Sequence, residues 1–305
     1  MSTFALVIRT HNHAACIGET LRRVHEQNGL RDLITEIVQI DVGSSDGTVG
    51  VLKQYQPDKL VQLEPGRFTL GATLNLAMQT THSPWVIFLA GDAWPRDEKW
   101  LAGLMAGLNL GNNLAAVTSR QEPHRGCRDV FAHSQNQRFG PGQESRLLGA
   151  HHNVVATAIN REVWETHPFR EDLPGCEAEE WASRVESLGW AVRLSSEAVV
   201  VHSRNLSLME VYQRARKEAL AWARVGSPAM PRTEAGQWLN RKFMRLARAC
   251  WMDLKYSFEK GNILEWPFSI CVQLAKYMGE QRGYREATRK LESQSSVMAA
   301  KLGSA

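Results

Sequence analysis

The feature that most constrains the fold is a short apolar run that ends close to a lone carboxylate. The run Val86 to Leu89 (VIFL) has the length and residue types of a strand buried on both faces of a mostly parallel sheet. Asp92 follows just past the expected end of this strand. In open α/β sheets ligands bind at that edge, which makes Asp92 a candidate ligand contact. The alternative is a turn or N-cap aspartate preceding a helix predicted over Arg96 to Leu108.

Strand-length apolar runs alternate with helical patterns through most of the chain. The predicted strands are Phe4 to Ile8, Ile34 to Ile40, Lys59 to Leu63, Ala115 to Thr118, Asn153 to Ile159, Ala191 to Leu194 and Ala198 to Val201. Helices are predicted after the first two strands and over Gly71 to Thr81, Arg161 to Thr166 and Glu177 to Leu188. This order indicates βαβ units, hence an α/β fold with a mostly parallel, Rossmann-like sheet flanked by helices. The segment Ser119 to Gln143 is predicted to be irregular.

The loop after the second strand, Asp41-Val42-Gly43-Ser44-Ser45-Asp46-Gly47-Thr48, is the most informative stretch. Its glycines allow tight turns, and Asp46 is placed to cap a helix through Tyr55. A dinucleotide-binding domain is the obvious rival for such a fold. It is excluded because no G-x-G-x-x-G follows the first strand, where Arg9-Thr10-His11-Asn12 stands instead.

Charge is distributed unevenly along the 305 residues, which carry a net charge of +4. Residues 204–305 hold 18 Lys and Arg against 9 Asp and Glu, and residues 1–203 hold 18 against 23. Five cysteines without a C-x-x-C pair argue against a zinc site or a disulfide framework. No signal peptide or transmembrane pattern is evident, so we expect a cytoplasmic protein.

Six segments in order resemble the family-2 inverting glycosyltransferases with the GT-A fold, and among them the bacterial rhamnosyltransferase-like group. They are VIRTHNHAACIGETL, IDVGSSDGT, FTLGATLNLAM, FLAGDAWPRDEKWL, SRQEPH and CEAEEWASRVESLGW, followed by VVHS. The resemblance implies a GT-A domain over residues 1–205 and a helical appendage over 206–305. It also implies inverting transfer of a sugar, rhamnose by analogy with the subgroup, from a nucleoside diphosphate to a hydroxyl of a glycan or lipid-linked acceptor in polysaccharide biosynthesis.

The resemblance assigns four residues to the nucleotide sugar. Asp41 is similar to the carboxylate that contacts the base or ribose, and Thr10 and Asn12 line the same pocket. Asn75 matches a helix asparagine near the donor. The structural alternatives are a turn-capping role for Asp41 and a helix-surface amide for Asn75.

The same resemblance implies a divalent metal, Mg²⁺ or Mn²⁺, bound by Asp92 and His202. The diphosphate leaving group gains negative charge in the transition state, which a hard cation stabilises. Many relatives carry D-x-D here, whereas this chain has Gly91-Asp92-Ala93. A histidine ending an apolar strand can equally be a hydrogen-bonded structural residue.

The sequence departs from the family's pattern at the catalytic base. The family's Glu-Asp pair maps onto Glu177 and Ala178, so the expected Asp base is missing. Glu177, Glu179 and Glu180 are the candidates to take the acceptor proton. All three have an alternative role, a favourable interaction with the helix dipole. A second hypothesis is therefore a degenerate GT-A-like protein that binds nucleotide or glycan without turnover.

The basic C-terminal region carries Lys and Arg beside Trp, Phe and Met at helical spacing, as at Arg214, Arg216, Lys217, Arg224, Arg241, Lys242, Arg245 and Arg248. Such helices can lie on an anionic membrane surface, here the inner face, next to a lipid-linked acceptor. Alternatively they are solvated on one face and pack against the main domain or a second subunit. Nucleic acid is not expected as a partner because no recognised module accompanies the charge.

Overall fold

A computed structural model describes residues 3–109, 111–143, 152–225 and 235–302, without the side chains of residues 31, 235–243 and 290–302. The strands in these ranges are β1 (Phe4–Thr10), β2 (Ile34–Asp41), β3 (Lys59–Gln62), β4 (Trp85–Ala90), β5 (Trp94–Pro95), β6 (Leu114–Glu122), β7 (Ala156–Asn160) and β8 (Ala191–Val201). The helices are α1 (Ile17–His25), α2 (Leu30–Leu33), α3 (Thr48–Gln54), α4 (Leu70–Thr80), α5 (Trp100–Gly107), α6 (Asp129–Phe139), α7 (Arg161–Thr166), α8 (Glu177–Ser187), α9 (Leu208–Val225), α10 (Ala235–Glu259) and α11 (Trp266–Leu302).

One mixed sheet has the strand order β3-β2-β1-β4-β7-β6-β8-β5. Strands β3, β2, β1 and β4 are parallel, as are β6 and β8, whereas β7 runs antiparallel to both of its neighbours. The short β5 pairs antiparallel with β8. The predicted α/β class with a mostly parallel sheet and C-terminal helices is confirmed.

Helices cover both faces of the sheet, which explains the long apolar runs in its central strands. Val7 packs in the layer that contains α4 and α8, where Trp181 is fully buried. Ile8, the next residue, packs in the opposite layer with α1, α3 and α5, where Trp100 is fully buried. Successive residues of a strand point to opposite faces, so a strand covered on both sides has no polar face.

The segment Ser119 to Gln143, predicted to be irregular, contains regular structure. β6 continues through Glu122, and α6 follows a short loop. The prediction was wrong because α6 has few apolar residues at helical spacing, yet the fold buries Val130 and Phe139. Tertiary packing here outweighs a weak local pattern.

Two further boundaries differ from prediction, and the first bears on Asp92. The expected helix from Arg96 begins only at Trp100, with Lys99 as its N-cap, which excludes the N-cap alternative for Asp92. The two strands predicted within residues 191–201 form one strand, β8. Its register with β6 shifts after Ser195, an irregularity that the sequence pattern registers as a break.

The chain divides into two compact units. The first comprises Met1–Cys127, Ser134–Asp172 and Glu177–Ser203, and the second Arg128–His133, Leu173–Cys176 and Arg204–Ala305. In the second unit α9 and α11 approach closely at Gly279, where a Cβ atom would lie 2.3 Å from the Tyr212 carbonyl oxygen. The assignment of a catalytic domain to 1–205 and a basic region to 206–305 stays a prediction, and the side chains of Arg241 and Lys242 lie outside the described residues.

Candidate functional site

The carboxyl ends of three neighbouring parallel strands bring the predicted site residues to one edge of the sheet. β1 lies between β2 and β4, with Thr10 paired to Asp41 and Arg9 paired to Ala90. The loops that follow these strands therefore leave the sheet side by side. Thr10, Asp41 and Asp92 belong to this edge, where open α/β sheets bind ligands.

The Asp41 carboxylate organises the loop after β2. It is buried and accepts hydrogen bonds from Thr10 Oγ1 at 3.1 Å, the Ser44 amide at 2.9 Å and the Ser44 hydroxyl. A carboxylate has about four acceptor positions, so roughly one remains for another donor. The turn-capping role considered for Asp41 is thus observed, and Thr10 is fully buried as its partner. Nucleotide contact by either residue stays a prediction.

Asn12 joins the loops after β1 and β2. It adopts a left-handed conformation with φ of 54°. In this conformation its amide donates to Ser44 Oγ at 2.8 Å, and its side-chain oxygen accepts from the Ser45 amide at 2.8 Å. The Asp46 carboxylate accepts a hydrogen bond from the Ala14 backbone N–H at 3.0 Å and another from the Thr48 backbone N–H at the start of α3. The two loops consequently form one hydrogen-bonded platform, with the exposed Asn12 on its surface.

Asp92 approaches this platform because the preceding residue is glycine. A Cβ atom at Gly91 would lie 2.6 Å from Thr10 Cγ2 and 2.7 Å from His13 Nδ1, distances that no side chain tolerates. The Gly91 carbonyl oxygen accepts from the Thr20 hydroxyl at 2.9 Å, which fixes the loop. As a result, Asp92 Oδ2 lies 3.8 Å from His13 Nε2.

His202 reaches the same carboxylate through the pairing of β5 with β8. Trp94 pairs with Val201 in antiparallel register, so the residues just outside this pair, Ala93 and His202, are adjacent. His202 Nε2 lies 3.8 Å from Asp92 Oδ2, and both side chains are about 15% exposed. The structure thus brings together the two predicted metal-binding residues.

A chain of hydrogen bonds determines which nitrogen of His202 carries its proton. The Val155 backbone N–H donates to Asn153 Oδ1 at 3.2 Å. Because that atom is an acceptor, Gln121 Nε2 is the donor in its 2.9 Å bond to Asn153 Oδ1. Gln121 Oε1 then accepts from His202 Nδ1 at 3.3 Å. In the neutral ring His202 Nε2 therefore directs a lone pair toward Asp92.

This donor set fits a divalent cation. A carboxylate oxygen and an imidazole lone pair that face each other across 3.8 Å repel unless positive charge lies between them. Both are common metal ligands, and a ligating imidazole usually donates its other N–H to a neighbouring acceptor. Within the described ranges, no three His, Cys, Asp or Glu side chains are placed to hold an ion by themselves. Oxygens of substrate or water can complete the coordination of such a cation.

Sequence reasoning missed His13 and Gln121 as members of this cluster. Both lie in segments that carry the family resemblance, THNH after β1 and SRQEPH at the end of β6. The available signal was position, since each follows or ends a strand at the ligand-binding edge. Their proximity to Asp92 and His202 depends on strand register, which the sequence pattern does not specify.

The three candidate bases on α8 occupy different environments. Glu177 is buried and accepts the backbone N–H groups of Leu70 and Gly71 at the start of α4, while burial raises the pKa of its carboxyl group. Glu180 is also buried and pairs with Arg184, with Oε1 2.9 Å from Nε. Glu179 is half-buried and is the most exposed of the three. Glu179 is therefore the most accessible to a substrate of the three side chains.

Asn75 is fully engaged inside the protein. Its Nδ2 donates to the Phe169 carbonyl at 2.9 Å and to Glu171 Oε1 at 2.7 Å. Its Oδ1 accepts from Trp164 Nε1 at 2.9 Å and from the Phe169 amide at 3.0 Å. These bonds use both donors and both lone pairs of the side chain. A donor-sugar contact by Asn75 stays a prediction, and it requires one of these bonds to be exchanged.

Sequence comparison identifies a family for the first half of the chain. The sequence model described as Glycosyl transferase family 2 matches residues 5–165, more than half of the chain. The O-antigen chain rhamnosyltransferase WbaN of Salmonella anatum is 26% identical over 226 residues, covering 70% of each chain. RfbN of Salmonella typhimurium, described in the same words, is 27% identical over 220 residues, covering 68% of this chain and 69% of its own.

Solved structures of sugar transferases share the fold. The mannosyltransferase PcManGT from Pyrobaculum calidifontis, in complex with GDP-Man and Mn²⁺, superposes with a TM-score of 0.63 at 18% identity, over 92% of this chain and 86% of its own. Glucosyl-3-phosphoglycerate synthase from Mycobacterium tuberculosis, with Mn²⁺, UDP and phosphoglyceric acid, gives 0.55 at 22% identity, over 74% and 80%. The predicted GT-A fold is confirmed by these similarities.

Proposed function

The chain belongs to glycosyl transferase family 2 and is a glycosyltransferase, and from this premise we propose a metal-assisted, inverting transfer of a sugar from a nucleoside diphosphate to a hydroxyl acceptor. The observation that carries the proposal is the pairing of Asp92 with His202 at the ligand-binding edge of the sheet. It supplies a cation-binding donor pair beside the Asp41 loop, where the nucleotide is expected.

The donor and acceptor classes rest on the relatives. O-antigen rhamnosyltransferases at 26% and 27% identity support rhamnose as the sugar and a glycan or lipid-linked glycan as the acceptor. The solved structures with GDP-Man or UDP support a nucleotide-bound donor. The same relatives support a role in O-antigen-type polysaccharide biosynthesis in a bacterium. A cytoplasmic location at the inner face of the membrane is part of the proposal and is not given by these relatives.

In the proposed reaction Asp92 and His202 would hold the cation, and Gln121 would orient His202. A bound Mg²⁺ or Mn²⁺ would neutralise the negative charge that develops on the diphosphate leaving group. The hydrogen-bonded loops around Asp41 and Asn12 keep the nucleotide end of the site rigid. Such preorganisation lowers the cost of reaching the transition state.

Glu179 is the proposed base. As the acceptor oxygen attacks the anomeric carbon, opposite the departing diphosphate, a carboxylate must take the hydroxyl proton. Glu179 is more exposed than Glu177 and Glu180, which are both buried. Glu177 and Glu180 remain the alternatives, and both would have to break existing contacts first.

Asp92→Asn tests the cation site. We expect transfer to fall by roughly a hundredfold or more, since an amide is a much weaker ligand than a carboxylate. The assay is mass detection of product from a panel of nucleoside diphosphate sugars with Mg²⁺ or Mn²⁺, which also identifies the sugar. Asp97→Asn is the matched control, because Asp97 pairs with Arg96 at the surface nearby. Undiminished transfer by a folded Asp92→Asn protein would refute the metal assignment.

The second candidate is a nucleotide- or glycan-binding protein without turnover. It is favoured by buried Ala178 at the usual base position and by the occupied carboxylates of Glu177 and Glu180. Calorimetric titration with nucleoside diphosphates, with and without Mn²⁺, separates the two candidates when combined with the product screen. Binding with no product from any donor supports the second, whereas turnover that is lost in Glu179→Gln supports the first.

A further inference from the structure

One face of α10 is exposed although it carries large apolar side chains. Met244, Trp251 and Phe258 are seven residues apart, so they share a face of the helix. Trp251 is 65% exposed and Phe258 is 71% exposed. The opposite side of the helix is buried, with Asp253 and Ser257 nearly inaccessible. The apolar face is therefore turned outward within the C-terminal unit.

Basic residues are interleaved with these apolar side chains. Arg248 and Lys255 are also seven residues apart and lie beside Trp251 and Phe258 on the same exposed surface. We call these five residues, Met244, Arg248, Trp251, Lys255 and Phe258, the outer face of α10. Arg245 and Lys260 are exposed as well, and Glu259 is the exposed acid of residues 244–260. Cationic charge thus accompanies the apolar surface.

The turn after α10 also exposes apolar side chains. Gly261 adopts a φ of +74° and reverses the chain. Ile263 and Leu264 follow, 51% and 92% exposed. An exposed leucine is not unusual by itself. Ile263 and Leu264 together, however, follow the outer face of α10 and enlarge an apolar surface that carries basic residues.

We infer that the outer face of α10 and the Ile263-Leu264 turn bind an anionic membrane surface. Aromatic and aliphatic side chains partition into the headgroup region while Lys and Arg pair with lipid phosphates. A second copy of the chain fits less well, because a two-fold interface would place Arg248 and Lys255 against the same cations. Within the described residues no helix is both long and apolar enough to cross a bilayer, so the binding would be peripheral.

Membrane binding deepens the proposed function, because it would bring a lipid-linked acceptor to the enzyme. The biological role of membrane binding rests on the proposed function, but vesicle binding can be measured independently of it. Vesicle binding is measured without substrates, and transfer to a water-soluble acceptor is measured without vesicles. Loss of one property with retention of the other therefore identifies which proposal has failed.

The test is sedimentation of the full chain with vesicles of pure phosphatidylcholine or of phosphatidylcholine with phosphatidylglycerol. We expect binding to the anionic vesicles, weakened by salt, and little binding to the neutral ones.

Arg248→Gln/Lys255→Gln should reduce the partition coefficient by about fivefold per charge. Phe258→Gln/Leu264→Gln should reduce it by roughly tenfold or more. Leu188→Gln is the control, since Leu188 is 56% exposed in the other unit.

Two outcomes would overturn the inference. One is the absence of the expected lipid dependence: either the wild type binds anionic vesicles no better than neutral ones, or the Phe258→Gln/Leu264→Gln variant binds them as well as the wild type does. The other is a dimer, measured by light scattering at micromolar concentration, that the same variant dissociates, since the occupant would then be a second copy. Circular dichroism and thermal unfolding of every variant ensure that weakened vesicle binding is not caused by unfolding.

Discussion

The imidazole of His202 is oriented by Gln121, a buried side chain at the end of a neighbouring strand. Gln121 Oε1 accepts a hydrogen bond from the His202 Nδ1–H group, and Gln121 Nε2 donates one to Asn153 Oδ1. A hydrogen bond to the second nitrogen of a metal-binding histidine fixes its tautomer and strengthens it as a ligand. At the residue scale, Gln121 is thus a positioning residue for the proposed cation site.

Replacing Gln121 with Met should weaken Mn²⁺ binding by roughly 10- to 100-fold, because the side chain keeps its length but loses the acceptor. Mn²⁺ affinity is measured by electron paramagnetic resonance with uridine or thymidine diphosphate present. Transfer should recover at high Mn²⁺ concentration, a rescue that a general packing defect would not show.

Gln39→Met provides the matched control for this prediction. Gln39 is likewise a buried strand glutamine, in β2, and its Oε1 has no hydrogen-bond partner in the described part of the structure. Its substitution should leave Mn²⁺ affinity unchanged. Equal Mn²⁺ affinities for Gln121→Met and the wild type would rule out the positioning role.

Two side chains that the sequence suggested as site residues connect α4 to α7, to α8 and to the loop between α7 and α8. Glu177 accepts the amides at the start of α4. Asn75 spans from the middle of α4 to Trp164 and Phe169. At the scale of elements these polar residues connect helices on one face of the sheet. Their type and position resemble those of ligand contacts, although they also perform a structural task.

Asn75→Ala should lower the free energy of unfolding by about 2–4 kcal/mol. The substitution leaves the buried Phe169 amide and the Trp164 indole N–H without their acceptor, and buried unsatisfied donors are costly. Urea unfolding followed by circular dichroism measures the change. Gln79→Ala, on the exposed side of the same helix, should stay within about 0.5 kcal/mol of the wild type. A comparable loss in both variants would show that the Asn75 bonds contribute little.

The pH dependence of stability belongs to the scale of the whole molecule, and His152 makes an identifiable contribution to it. The imidazole is completely buried, which lowers its pKa from 6.5 to about 3. Its Nδ1 bonds to the Thr118 hydroxyl at 3.1 Å, and its Nε2 has no hydrogen-bond partner in the described part of the chain. The native state therefore holds His152 neutral, whereas the unfolded chain protonates it below about pH 6.5.

Stability should consequently fall as the pH decreases from about 6.5 toward 3, because the unfolded state binds the extra proton. The slope from this group approaches about 1.4 kcal/mol per pH unit, or about 2 kcal/mol between pH 7 and pH 5. In His152→Gln this part of the slope should disappear, as measured by urea unfolding at both pH values. His82→Gln, at an exposed position, should keep the wild-type slope. Equal slopes in all three proteins would refute the assignment.

Much of the fold could be predicted because its signals are local. β4 and residues 4–8 of β1 are apolar since both faces of the sheet are covered, and such runs are visible in the sequence. The helix α6 could not be predicted, because its few apolar residues do not recur at helical spacing and are buried only by tertiary packing. The sequence pattern showed a break within β8 but could not show that the strand continues through it, since a register shift depends on the partner strand.

The sequence by itself determined the α/β class, through apolar periodicity, and placed Asp92 just past the end of a buried strand, both of which are local properties. The resemblance to the family added Asp41 and His202 as candidate site residues. Only the tertiary structure decided that His13 and Gln121 join this cluster, and that Asn75 and Glu177 are engaged by the protein itself. Hydrogen-bond partners come from segments distant in sequence, and strand register and helix packing determine which of them meet.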